Sequence, residues 1–172
     1  MSTIGFLTST KDIVLKNGTK IKLKFIDSSG LENFQSLPKT YIKNSEAVLF
    51  VFAHDNRTSF YNLSKWIEQL KDINNNMDFS KIIPAYLVGN KCDMEHEIPD
   101  EEIEKFKNAN KLYGYISTST KDNIGIDKLL KELGEMLIKI YGKRKNNPKI
   151  KIDRKIKKGN KKLCSSCGKA DL

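Results

Sequence analysis

The sequence predicts a three-layer α/β fold, with a mostly parallel sheet, one antiparallel hairpin strand and helices on both faces. Three observations carry this. Strand-like runs alternate with helix-like stretches along most of the chain. Ala47 to Phe52 is apolar throughout, as expected of a parallel strand covered on both faces. The run Ile82-Ile83-Pro84-Ala85-Tyr86-Leu87-Val88-Gly89 ends in the polar tetrapeptide Asn90-Lys91-Cys92-Asp93, placing chemistry at the carboxyl end of a strand.

In chain order, Asp12 to Leu15 and Lys20 to Ile26 form the arms of a hairpin around Lys16-Asn17-Gly18-Thr19. Asn-Gly predicts a type I′ turn, whose two central residues both need positive φ. Ile21, Leu23 and Phe25 alternate with Lys20, Lys22 and Lys24, so one face of that arm is buried and the other wet. Strands follow over Ala47 to Phe52, Ile82 to Val88 and Leu112 to Ile116. Helices are expected over 58–73, carrying Trp66, Ile67 and Leu70, over 99–110, and over 124–141. The last has Ile126, Leu129, Leu130, Leu133, Leu137 and Ile140 at helical spacing.

The polar segments fall at strand ends. An amide, a lysine stem and a carboxylate at Asn90, Lys91 and Asp93 suit a flat heterocycle rich in donors. The Asp93 carboxylate can accept two parallel N–H bonds, such as those of guanine N1 and its exocyclic amine. Adenine has no such donor pair on that edge, so the carboxylate would stay desolvated and unpaired against it. Asp27-Ser28-Ser29-Gly30 begins 63 residues before Asn90, and Ser119, within Thr118-Ser119-Thr120-Lys121, lies 29 residues after it. Thr3, within Ser2-Thr3-Ile4-Gly5, lies 24 residues before Asp27.

These four segments, in this order and spacing, resemble the Ras superfamily of small GTPases over roughly residues 2–141. The Thr-Ile-Gly start, Trp66 and a basic tail with two cysteines resemble the Rab branch most closely. The resemblance implies a P-loop-NTPase-like G domain over 1–142 and a guanine-nucleotide switch of vesicle traffic using GTP/GDP with Mg²⁺. It implies that Asp93 reads guanine, Asn90 holds the neighbouring loops and the Lys91 stem lies along the base. Backbone N–H groups near Ser119, Thr120 and Lys121 would meet the base O6. Asp27 would support Mg²⁺ through water, Gly30 would donate to the γ-phosphate, and Thr3 would sense both.

The chain departs from the family pattern in three places. No G-x-x-x-x-G-K-[ST] motif, which would cradle the phosphates, occurs in the 172 residues. The family's first strand would lie centrally, between those matched by 20–26 and 47–52. The G domain is therefore expected to be N-terminally truncated, with those strands closing up, another element filling the gap, or the chain being part of a longer protein. Leu31 stands where the family places a glutamine that positions the attacking water, so no catalytic residue is intact and hydrolysis is expected to be impaired. Ala53-His54-Asp55 replaces the usual strand-terminal Tyr-Asp. His54 and His96 read as surface loop residues, with a catalytic role expected of neither.

Charge divides the chain. Residues 143–172 hold 12 Lys/Arg against two acidic residues, leaving 19 of each sign in 1–142. All of the net +10 therefore belongs to a polybasic tail with few apolar anchors, expected to be disordered and suited to an anionic membrane surface. Nucleic acid is disfavoured, because the tail has no aromatic residue for stacking. Cys164 and Cys167 are candidate lipidation sites on the family pattern. Their CxxC spacing lacks the second pair or histidines of a zinc site. No apolar run reaches membrane-spanning length and no secretion signal is present. Three cysteines, with one in the polar tetrapeptide, point to a reducing compartment. The expected place is the cytosolic face of an endomembrane, with effectors and regulators of small GTPases as partners. The alternative is a non-catalytic interaction module that keeps the G-domain surface.

Overall fold

The computed structural model describes residues 6–28, 44–73 and 83–142. Its strands are β1 (Phe6–Val14), β2 (Lys20–Ser28), β3 (Val48–Ala53), β4 (Ala85–Asn90) and β5 (Gly114–Ser117). Its helices are α1 (Arg57–Tyr61), α2 (Leu63–Ile73), α3 (Asp100–Ala109) and α4 (Ile126–Tyr141). The mixed α/β class is as expected: an antiparallel β1–β2 hairpin and a parallel sheet in the order β3-β4-β5.

The sheet sorts its side chains by alternation. In β4, Ala85 and Leu87 face a core with Phe50, Phe52, Phe60, Ile67 and Ile103, while Tyr86 and Val88 face a second core with Ile116, Leu133 and Met136. Burial of β4 on both faces is what a parallel sheet between helices requires. The hairpin supplies Leu15, Ile21 and Leu23 to the second core, on the face the alternation predicts. It packs so closely on α4 that a Cβ at Gly134 would stand 2.7 Å from Ile21 Cδ1. The hydroxyl of Tyr86 donates to the Glu132 carboxylate, tying α4 to the sheet.

Five expectations change. The hairpin loop is not type I′: among the described non-glycine residues positive φ occurs only at Lys91, Lys111 and Asn123, so Asn17 lacks it. Instead the Gly18 N–H donates to Leu15 O (2.9 Å), the Leu15 N–H donates to Thr19 O (2.9 Å), and Gly18 alone is left-handed at φ 79°. That is a type I turn with a following left-handed glycine, a loop one residue longer than the type I′ form. The stretch 58–73 is two helices meeting at Asn62. Strand β4 begins at Ala85, after Pro84, which has no N–H for the ladder. β3 is not covered on both faces: Val51 is 54% exposed, because β3 pairs with β4 alone among the described residues. Nor do β2 and β3 close up into one sheet.

Candidate functional site

Two loops at the carboxyl ends of β4 and β5 lie side by side. Thr118 donates its N–H to Gly89 O (2.7 Å), and Cys92 donates its N–H to Thr118 O (3.0 Å). Asn90 spans both loops: its Oδ1 accepts from Thr120 N–H (3.2 Å) and the Thr118 hydroxyl (3.4 Å), and its Nδ2 donates to Thr120 Oγ1 (3.4 Å). An asparagine can do this because its amide both donates and accepts. Asn90→Ala removes all three contacts and is expected to lower stability by roughly 1–2 kcal/mol, read by urea unfolding, with faster amide exchange at Thr120.

Asp93 stands at the centre. Its side chain is 11% exposed, Oδ2 lies 3.7 Å from Lys121 Nζ, and Oδ1 is buried with no hydrogen-bond partner among the described residues. A hydrogen bond from the Ser119 side chain holds the carboxyl below its ordinary range. Partial burial acts the opposite way, while the residue's own N–H and Lys121 add to the lowering. A carboxylate kept ionised yet left with an unsatisfied buried oxygen is poised to accept from a ligand. Ser119 is itself fully buried, exchanges backbone bonds with Ile124 and accepts the Asp122 N–H at Oγ (3.1 Å). The loop then enters α4 through Gly125 at φ 73°, where a Cβ would lie 2.4 Å from Ser117 O. Only glycine fits there.

Residues 1–139 match the model of the Ras family. The chain belongs to the Ras family. Within it, the Rab-like branch is supported by curated relatives. Ras-related protein Rab-30 of Homo sapiens is 32% identical over 141 residues, covering 80% of this chain and 65% of that protein. Ras-related protein Rab-13 of Bos taurus is 29% identical over 175 residues, covering 99% of this chain and 82% of that protein. Its counterpart in Rattus norvegicus is 26% identical over 170 residues, covering 97% and 80% respectively.

In this Ras-family chain, Asn90, Lys91, Asp93, Ser119, Thr120 and Lys121 lie together on the two adjoining loops. Lys91 adopts a left-handed backbone (φ 61°), and its ammonium pairs with both oxygens of Asp55, at 3.0 and 2.8 Å. Asp27 is exposed near the end of β2. Thr3, Gly30, Leu31, Cys164 and Cys167 lie outside the described residues, as does the tail 143–172.

Sequence reading missed His54, which is not a surface loop residue but 0% exposed. It follows β3 directly, so its ring turns into the space over β4 instead of outward. His96 is exposed, as expected, and its ring stacks on that of His54, with centroids 3.9 Å apart. The available signal was Gly89, whose missing side chain makes room for the imidazole, together with Tyr115 and Ser117 two residues apart on β5.

Proposed function

We propose that this Rab-like chain binds guanine nucleotides through the loops after β4 and β5, as a switch of vesicle traffic. The observation that carries the proposal is the buried Oδ1 of Asp93, without a partner among the described residues, beside a second oxygen facing Lys121. The two oxygens of one carboxylate match two adjacent N–H donors on guanine, and adenine offers none there. The Ser119, Thr120 and Asp122 N–H groups are committed within the loops, which favours the Lys121 N–H as donor to the guanine O6. Asn90 fixes the spacing of the loops, and the Lys91 stem, drawn out toward Asp55, borders the base.

The phosphate half of the proposal rests on family membership. Ras-family proteins generally bind GTP/GDP with Mg²⁺, and here Asp27, Gly30 and Thr3 would contribute. Mg²⁺, when bound, would neutralise phosphate charge. The chain's own residues hold and select the base. Leu31 can neither donate to nor accept from an attacking water, so hydrolysis is assigned a slow rate. The same leucine, with no G-x-x-x-x-G-K-[ST] among the 172 residues, supports a second reading: an interaction module that has lost nucleotide control. In either case effectors and regulators of small GTPases are the partners. The polybasic segment 143–172, with Cys164 or Cys167 as lipid attachment points, would add membrane affinity. No helix among the described residues is long and apolar enough to cross a membrane.

Titration of the 172-residue chain with fluorescent GDP and fluorescent ADP tests the base reading. Guanine is expected to bind at least about tenfold more tightly, with overall affinity weaker than micromolar. Equal affinities overturn the guanine assignment. Submicromolar GDP affinity overturns the expectation of weak phosphate binding.

A further inference from the structure

Beneath the two loops lies a polar cluster that base recognition by Asp93 does not itself use. His54 Nε2 is 3.1 Å from Ser117 Oγ and 3.1 Å from Tyr115 Oη, and those hydroxyls are 2.7 Å apart. β3 and β5 are not neighbours, since β4 separates them. The imidazole therefore reaches across β4, over Gly89, where an added Cβ would stand 2.5 Å from Nε2. The backbone of the same residue holds the rim: the His54 N–H donates to Asn90 O (2.9 Å), and His54 O accepts from the Glu97 N–H (2.9 Å). Its main chain thus bonds the first residue of the base-reading motif. Its side chain bonds Ser117, which directly precedes Thr118.

We propose that His54 is a positioning residue for guanine recognition, its neutral imidazole setting the spacing of the loops after β4 and β5 through Tyr115 and Ser117. The proposal rests on the reading of Asp93 as the guanine acceptor. With its proton on Nδ1, the ring accepts at Nε2 from one hydroxyl, which accepts from the other. In that tautomer protonation makes Nε2 a donor and reverses the pair; in the other, Nε2 already donates and the added proton goes to the buried Nδ1. It also places a charge where the ring is fully buried, edge-on to Phe52 at 5.2 Å, with Nδ1 lacking a partner among the described residues.

The groups facing this ring act in opposite directions. Burial, then the stacked His96, push the His54 pKa below 6.5, while Asp100 at the start of α3 and Asp55 beside it raise it. Asp100, Cys92 and Glu104 face the Tyr115 hydroxyl, whose pKa is raised chiefly by burial. A histidine with a depressed folded pKa is protonated first in the unfolded chain. Its contribution to stability is complete above 6.5 and is lost as pH falls through the folded value.

The test is guanosine against adenosine, nucleosides without a titrating phosphate, followed by the backbone amide shift of Asp93 in the 172-residue chain. Guanosine affinity is expected to fall about tenfold as pH is lowered below 6.5 through the folded titration of His54, with exchange protection falling at the Cys92 and Thr118 amides. His54→Gln should abolish that pH dependence. His96→Gln should keep it with a higher midpoint, because one repelling neighbour is gone. A flat wild-type profile, or an unchanged profile in His54→Gln, overturns the proposal. Should His54→Gln fail to fold, an unmoved midpoint in His96→Gln overturns it. Equal binding of the two nucleosides at every pH overturns the guanine reading and this proposal with it. A guanosine preference with no pH dependence overturns only the role of His54.

Discussion

Asp93→Ala will erase the preference for guanine over adenine nucleotides while leaving the chain folded. The loss of guanine affinity should be about a hundredfold or more, because a site built around paired donors is left with nothing to receive them. Adenine binding should change little, since that base never satisfied the carboxylate. The fold should survive, because the described contacts of the side chain are with Ser119 and Lys121 at the end of a loop, not with either core. Parallel GDP and ADP titrations, with a thermal melt as control, decide the matter. A variant that keeps its guanine preference would remove Asp93 from the base pocket.

Leu87→Ala will cost about 3–5 kcal/mol, the range for truncating a fully buried leucine that cannot be replaced by collapse of its surroundings. Leu87 is 0% exposed at the centre of β4, among Phe50, Phe52 and Ile103. Against a typical domain stability of about 5–15 kcal/mol, that is a large share of the total. Urea unfolding should show a lower midpoint at unchanged slope. Val51→Ala, on the neighbouring strand but 54% exposed, serves as the comparison and should stay within about 0.5 kcal/mol. Equal losses at the two positions would show that β4 does not hold the core.

The contrast between these sites shows which features of the chain were legible. Burial on both faces was expected of the unbroken apolar run Ala47 to Phe52, whereas the strand that meets no water on either face is β4. The hairpin face could be read from Ile21, Leu23 and Phe25. The exposure of Val51 could not, since it depends on which strands neighbour β3. The turn at Asn17-Gly18 was assigned from a dipeptide preference. Its conformation was decided by the register of the arms, which leaves Leu15 bonded to Thr19. That Asn90, Lys91, Asp93 and Thr118 to Lys121 lie on two adjacent loops follows from their places at strand ends.

His54 marks the boundary between the two kinds of knowledge. The sequence by itself determined the α/β order, the apolar faces and the polar segments at the strand ends, because each depends on residues near one another in the chain. Only the tertiary structure decided that a histidine beyond a strand end is buried, that Gly89 makes room for it, and that Tyr115 and Ser117 meet it from 61 and 63 residues away. Alternation and helical period report which face of an element is apolar. They carry no information about which strands become neighbours, and it is that neighbourhood which brings the His54 imidazole and two distant hydroxyls together over Gly89.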